Sequence, residues 1–476
     1  MPYTNKFGEG FPPRSVAIVG VSRKEHMNHP GYTGARLFRM LQESKFTGRL
    51  YPVNPKVSEL EGYKVYPKVT DIPERLDLVT ITVPAAVVPQ VLEDCVIAKA
   101  RNVQICTSGF GETGEEEALK LEKQVREIAL RGNLRVIGPN CMGFHIPSTR
   151  MKMFEHVSIL EGPVAFISQS GGHCQIFLRH GPDFNFGFSK VISYGNALIL
   201  DATDFLEYFE NDDETKIICL YLEGIKDGRR FVELVQKVNN TKPVIIWKGG
   251  LTDSGARAAS SHTGSLGGSE RIWDAFFKKT GIIRTGSIEE TAEVCMTILK
   301  LERLSGNRAL VLSSGGGNNV ATGDICAEEG VELPALTPAT DAKLREFVSS
   351  VNQGINNPMD APGVLMSLPT LKRVLEVLEA DSSINVIIFH MLAGFFARPL
   401  AGVIDEFRQT IIDFNKRNKG KKAVVIALSD EYRDVETYKY AKEFREAGIA
   451  AYSSLRSACR ALNRVAGYYQ YIIKNN

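Results

Sequence analysis

The sequence has no CxxC pair among its eight cysteines, which stand singly from Cys95 to Cys459. That excludes a zinc ribbon or a thioredoxin-type redox pair and predicts reduced thiols in a cytoplasmic protein. Charge of one sign is not in excess either. Against 57 Lys and Arg stand 55 Asp and Glu, a net +2, so no broad polyanion-binding face is implied and nucleic acid is not an expected partner. An apolar secretory segment at the N-terminus is missing, and so is an uninterrupted membrane-length run. The most apolar stretch, VIIFHMLAGFFARPLAGVI from Val386, is broken by His390, Arg398 and Pro399. It suits a buried strand followed by a loop rather than a membrane span. In ARAASSHTGSLGGSE, residues 256–270, no second His, Cys or carboxylate stands at metal-ligand spacing from the one histidine, and no P-loop GxxxxGK[ST] occurs in the sequence.

What is present is ordinary globular composition, 43% hydrophobic and 24% charged over 476 residues, enough for about three domains. Three stretches share one design: VAIVGVS from Val16, VAFISQSGG from Val164 and ALVLSSGGGNN from Ala309. Each is a short apolar run, then Ser and Gly, then a helix-like segment. Buried parallel strands read this way, and their Gly/Ser turns lead into helices. The three starts lie a domain's length apart, so the expected organisation is three α/β domains over 1–150, 151–303 and 304–476, with seams near MKMFEHVSILEGP and LERLSGN. Further strand-like runs (RLYPVNP, LVTITVP, NVQICTS, LRVIGPN, FSKVISYGN, KIICLYLEG, KPVIIWKGG, NVIIFHM, KAVVIALSD) alternate with amphipathic stretches. That alternation predicts doubly wound parallel sheets.

The first βα turn, Gly20-Val21-Ser22-Arg23-Lys24, is not the GxGxxG of a dinucleotide site, and the helix start is postponed to Gly31-Tyr32-Thr33-Gly34. The second strand ends in YPVNPK, placing Lys56 where an acid would hold a nicotinamide-nucleotide ribose. A lysine there suits a phosphate on the ribose, as in the 3′-phosphate of coenzyme A. NADP is the alternative, and a plain solvated lysine is the bland one. With Asn54 and Pro55 beside it, and with two further strand ends, at Pro84 and at Thr107 and Ser108, converging on one crevice, a ligand role is favoured.

VAIVGVS, YPVNPK, TVPAA, IGPNCMG, ISQSGG, SYGN, YLEGIKDGRRF and SHTGSLGGS, in this order, resemble the α subunit of the nucleoside-diphosphate-forming acyl-CoA synthetases, which are similar to succinyl-CoA synthetase. The likeness is strong from about residue 12 to 300 and weaker beyond 305, where SGGGNNVATGDICAEEG and NNPMD carry it. The resemblance implies a Rossmann-like CoA-binding domain followed by two flavodoxin-like ligase-type domains. It implies an ADP- or GDP-forming acid–thiol ligase that interconverts acyl-CoA, phosphate and the diphosphate nucleotide with acid, CoA and the triphosphate, through an acyl phosphate and a phosphohistidine. Carried onto this sequence, that histidine is His262 and its supporting glutamate is Glu223. The CoA-binding positions are Gly20, Ser22, Gly31, Gly34, Asn54, Lys56, Pro84, Thr107, Ser108 and Asn140. Phosphate would be held by Ser168, Ser170 and Gly171 together with Gly316, Gly317 and Asn318. The ATP-grasp module that supplies nucleotide and magnesium in this family has no counterpart in the three units. A separate β subunit is therefore the expected partner, in a hetero-oligomer or alongside a homodimer of α chains.

The chemistry of the residues agrees. His262 stands in ARAASSHTGSLGGSE, with no large apolar residue until Leu266: a poor core, but a loop on which an imidazole can travel and phosphate can approach the backbone. Neutral imidazole is a competent nucleophile near pH 7, and a carboxylate on the other ring nitrogen selects the tautomer. Without the motif, His262 would be an unremarkable loop residue and Glu223 a solvent-facing acid. His390, on an apolar run, reads as a satisfied core residue, His173 as no requirement of the chemistry, and Cys141 as packing. Two rival readings are a CoA-binding regulatory or acetyltransferase-associated protein and an NADP-linked oxidoreductase. The intact His262/Glu223 pair disfavours the first, and the broken fingerprint disfavours the second.

Overall fold

The computed structural model describes residues 7–22, 33–255, 257, 269–301, 304–349, 354–392, 404–418, 421–429 and 434–475. Each apolar run read above is a strand. The first sheet holds β1 (Ser15–Val19), β2 (Arg49–Val53), β5 (Leu78–Ile81), β6 (Asn102–Ile105) and β7 (Arg135–Ile137), all parallel, in the order β2-β1-β5-β6-β7. A small ribbon, β3 (Glu59–Leu60) with β4 (Tyr63–Lys64), follows β2. Val16 and Ile18 of β1 enter one buried cluster and Ala17 and Val19 another. The strand is therefore covered on both faces, which is why it reads as a continuous apolar run instead of an alternating one.

The second sheet takes β8 (Gly143–Ile146), β9 (Met151–Lys152), β10 (Glu161–Ser168), β11 (Phe188–Ser193), β12 (Ile217–Leu222), β13 (Val244–Lys248) and β14 (Ile283–Thr285) in the order β14-β13-β12-β10-β11-β8-β9. Its first five members are parallel; β8 runs antiparallel to β11, and β9 to β8. The third sheet is parallel throughout: β15 (Ala309–Ser313), β16 (Met359–Asp360), β17 (Val386–Leu392), β18 (Ala423–Ser429) and β19 (Ala450–Tyr452), in the order β16-β15-β17-β18-β19. Counted in chain order within its parallel strands, each sheet has the doubly wound order 2-1-3-4-5. Each therefore has one switch point, at the carboxyl ends of its first and third parallel strands.

The chain forms two compact units. One runs to Pro182 and resumes over Phe186–Ile288; the other takes Asp183–Asn185 and continues from Glu289. In the first unit a single apolar cluster joins two sheets, with Val16 and Leu37 packed in the same core as Phe144, Ile167 and Leu220. The second unit has its own core around Leu310, Leu312, Ile387, Phe389 and Ile426. Among the described residues no helix is long and apolar enough to cross a membrane.

His145 of β8 lies inside the first core, fully buried, and neither ring nitrogen has a hydrogen-bond partner among the described residues. Burial, with the charge of Lys152 opposite, pushes its imidazole down to about 3. The folded state thus keeps it neutral, while the unfolded chain takes up a proton below the ordinary value of about 6.5. Stability from this site is whole above that value and falls as the pH drops toward 3, by about 3 kcal/mol at pH 4. His145→Leu should therefore flatten the decline of melting temperature between pH 7 and pH 4. Parallel curves for the two proteins would remove His145 as the cause. His390, with Thr322 and Ser429 on its two ring nitrogens and burial pushing it to about 4, adds the same sign in the other unit.

Candidate functional site

The carboxyl edge of the first sheet collects most of the CoA positions read from the sequence. Gly20 leaves β1 with φ +102°, a conformation side chains rarely adopt. Thr33 caps the helix Gly34–Glu43, its hydroxyl accepting from the Arg36 N–H at 3.3 Å. A Cβ at Gly34 would lie 2.8 Å from the Gly20 carbonyl, so the helix N-terminus sits hard on the strand end. Across the switch point the Thr82 hydroxyl donates to the Val19 carbonyl at 2.7 Å, and Pro84 follows, exposed. Thr107, after β6, donates from its hydroxyl to the Val83 carbonyl at 2.7 Å, and the Asn140 N–H donates to the Thr107 carbonyl at 2.9 Å. Ser108 is exposed and Ser22 half-buried.

After β2, Asn54 holds the turn. Its amide donates to the Val21 carbonyl, and its oxygen accepts from the Lys56 N–H at 2.8 Å. Lys56 is exposed at that edge. Gly31 lies outside the described residues. Glu112, which sequence reasoning missed, accepts from the Gly109 N–H at 2.6 Å and from the Asn196 amide at 2.6 Å. Asn196 belongs to SYGN, and Gly195 there must be glycine: a Cβ would fall 2.2 Å from the Pro139 carbonyl oxygen. The second sheet's loop is thereby locked to the edge of the first. Cys141 is buried beneath this edge, as a packing residue should be.

At the second switch point Ser168 and Glu223 meet. The Ser168 hydroxyl accepts from the Ser170 N–H at 3.1 Å, and the Ser170 hydroxyl accepts from the His173 N–H at 3.3 Å, opening the helix Gly171–Asp183. The amides of Gly171 and Gly172 have no partner among the described residues. Glu223, only 5% exposed, is held from several sides. The Gln169 side-chain oxygen accepts from its N–H and, at 3.0 Å, from that of Gly224. The Tyr221 hydroxyl donates to its carboxylate at 3.2 Å, and the Lys248 ammonium donates to its carbonyl at 2.9 Å. Burial pushes Lys248 down to about 8 against the opposing pull of Glu223. The sequence assigns no role to Gln169, inside the SQSGG turn, or to Lys248, in the strand-end stretch IIWKGG. His262 lies outside the described residues. His173 packs its ring against Tyr221 and Trp247, with centroids 4.3 and 4.6 Å away.

The third switch point, in the other unit, carries Gly316, Gly317 and Asn318 as the first turn of the helix Gly316–Glu328. Their three amides have no partner among the described residues, as the first turn of a helix dictates. A Cβ at Gly317 would meet nothing within 4 Å among the described residues, so their packing does not demand that glycine. Asp360, from the NNPMD stretch, accepts from the Gly315 N–H at 2.8 Å and stands beside the turn. Both Gly/Ser turns have the chemistry of an anion cradle, with free N–H groups at a helix N-terminus.

The chain is similar to known proteins along most of its length. Residues 14–147 match the CoA binding domain, and residues 161–298 match the succinyl-CoA ligase like flavodoxin domain. The chain is 38% identical to an ADP-forming acetate–CoA ligase I of Archaeoglobus fulgidus over 79% of its own length, and 39% identical to an ADP-forming acetate–CoA ligase of Methanocaldococcus jannaschii over 74%. It spans about half the length of those two relatives, 54% and 48%. Over 98% of both chains it is 33% identical to the α subunit of ADP-forming acetate–CoA ligase I of Pyrococcus furiosus. Among solved structures it superposes on the dinucleotide-forming acetyl-CoA synthetase 1 of Ca. Korarchaeum cryptofilum, in complex with phosphate and ADP, with a TM-score of 0.82 and 30% identity, covering 97% of each chain.

Proposed function

Since the chain belongs to the family of ADP-forming acyl-CoA synthetases, we propose that it is the α-type component of such an enzyme and carries the acyl-transfer and phosphohistidine half of the reaction. The observation that bears most on this is Glu223, nearly buried and held by Gln169, Tyr221 and Lys248 at the same switch point as the Ser168–Gly171 turn. In this reading CoA lies along the carboxyl edge of the first sheet. Lys56 takes the 3′-phosphate, and Gly20, Ser22, Gly31, Gly34, Asn54, Pro84, Thr107, Ser108 and Asn140 shape the crevice. For inorganic phosphate the chain offers two anion-binding turns, one at Ser168, Ser170 and Gly171 and one at Gly316, Gly317 and Asn318. A phosphate oxygen attacks the thioester carbonyl, the C–S bond breaks, and CoA leaves as the thiol with a proton from the medium. The imidazole of His262 then attacks phosphorus, and the carboxylic acid leaves as its anion. Glu223 accepts the N–H of the far ring nitrogen and steadies the charged phosphorylated ring.

Nucleotide and magnesium belong, in this reading, to an ATP-grasp partner. Among the described residues no group of three or more His, Cys, Asp or Glu stands together as a metal site. The chain's near-complete match to a protein named as an α subunit supports a partner polypeptide. The reading competes with a CoA-binding regulatory protein that turns nothing over. The test is to incubate the purified chain with acetyl-CoA and labelled inorganic phosphate. Acid-labile, base-stable label on the protein is expected, and labelled ATP alone should leave none. Labelling by ATP without a partner would sink the division of labour.

A further inference from the structure

The second unit contains a cavity of about 300 Å³ that the proposed reaction does not use. It opens at the amino-terminal edge of the third sheet, where Ser305, Asn385, Lys421–Lys422 and Gly448 lead into β15, β17, β18 and β19. The anion turn Gly316–Asn318 leaves the opposite edge. Four lysines line the cavity (Lys300, Lys416, Lys421 and Lys422), and no aspartate or glutamate stands among the described residues that line it. Two of the four are committed. Lys422, buried, donates to the Asp381 carbonyl and, at 3.0 Å, to the Ile384 carbonyl, and Lys421 pairs with Glu379 at 3.1 Å. Lys300 and Lys416 have no carboxylate partner among the described residues.

Both stand in the last turn of their helices, Ile288–Lys300 and Ile404–Arg417, where the dipole alone favours a cation. The dipole accounts for a lysine pointing to water. It does not account for two converging on a concave, partly desolvated space that already holds two more. Burial alone pushes the Lys300 ammonium below its ordinary value. A charge in that position gains from an anion what it has lost from water. Part of the wall is apolar, from Leu299, Leu301, Leu304, Ala423 and Ala447, and Ser305, Asn385 and Asn415 add neutral polar groups. The space lies at the small end of ligand pockets, too narrow for a macromolecule.

We propose that this cavity binds a small phosphate-bearing molecule, whose phosphates lie against Lys300 and Lys416 and whose less polar part lies against the leucines. Occupancy would bridge the last turns of two helices that flank the third sheet. The site could thus report the level of a phosphorylated metabolite to the unit that carries one of the two anion turns.

Calorimetric titration of the full chain tests this, without magnesium, using inorganic pyrophosphate as the bare head group and ADP as a head group with an apolar ring. Saturable binding is expected, weakened about tenfold or more in the double variant Lys300→Gln/Lys416→Gln. Lys300→Arg/Lys416→Arg, which keeps both charges, should retain it, and so should Lys372→Gln, which alters an exposed lysine outside the cavity. Tighter binding of ADP than of pyrophosphate would bring the apolar wall into the contact, and equal binding would restrict recognition to the phosphates. Absence of saturable binding by both probes overturns the proposal. So does binding that survives the double glutamine substitution unchanged, or that is lost equally when both charges are kept.

Discussion

His262→Ala should abolish acid-labile phosphate incorporation while CoA still binds, and Glu223→Gln should slow incorporation about a hundredfold to ten-thousandfold with the fold intact. The two effects differ because the roles differ. Without the imidazole there is no acceptor for the phosphoryl group. With glutamine at 223 the acceptor remains, but the carboxylate that selects the tautomer and offsets the new charge is gone. Glutamine is nearly isosteric and can still accept the Tyr221 hydroxyl, now 3.2 Å from the carboxylate, while the backbone contacts from Gln169 and Lys248 do not involve the side chain at all. Thermal melts should therefore scarcely move for Glu223→Gln, and the loss would be chemical. The readout is the single-turnover rate of label transfer from inorganic phosphate in the presence of acetyl-CoA. Normal labelling of the His262→Ala protein would make another residue the carrier. Normal labelling of Glu223→Gln would reduce Glu223 to a structural acid.

The architecture was largely legible because it rests on local signals. A parallel strand covered on both faces must be apolar along its length, and its exit must turn sharply into a helix. VAIVGVS, VAFISQSGG and ALVLSSGGGNN therefore announced three first strands, and each lies beside a switch point. What escaped was whatever depends on distant pairing. Gly143–Ile146 and Met151–Lys152 are too short and too mixed to be read as strands, yet they extend the second sheet antiparallel beyond β11. The first of them pairs Gly143, Phe144 and His145 with Ser193, Ile192 and Val191, far along the chain, and the second pairs back onto the first.

The same holds within the site. Glu223 could be named from its strand-end position and motif, but its holders Gln169 and Lys248 are ordinary polar residues until the fold brings them to its backbone. Glu112 sits in a stretch that looks like helix approach, and it acts as the acceptor tying Gly109 to Asn196. The glycines, by contrast, were legible as turns but not as to purpose. Gly195 is required by a carbonyl of a neighbouring loop, whereas Gly317 leaves space that none of the described residues fills.

Gly34→Val should cost the chain its CoA affinity and about 2–4 kcal/mol of stability, more than overpacking usually does, because the obstruction is backbone. A Cβ at this position would lie 2.7 Å from the Thr82 hydroxyl oxygen and 2.8 Å from both the carbonyl carbon and oxygen of Gly20. Thr82 cannot swing away freely, since its hydroxyl is bonded to the Val19 carbonyl at 2.7 Å. Gly20 cannot yield either: it leaves the strand at φ +102°, and its own Cβ position is 2.8 Å from that same hydroxyl. The helix Gly34–Glu43 must then lift from the end of β1, carrying away the N-terminus that faces the crevice. A double-mutant cycle with Thr82→Ala separates the two obstructions. Removing the hydroxyl should restore part of the stability of Gly34→Val, and the remainder, set by the Gly20 carbonyl, should persist. Titration with CoA should show affinity lost in Gly34→Val and still weakened in the pair. Wild-type CoA affinity in a folded Gly34→Val protein would place the ligand elsewhere than at this switch point.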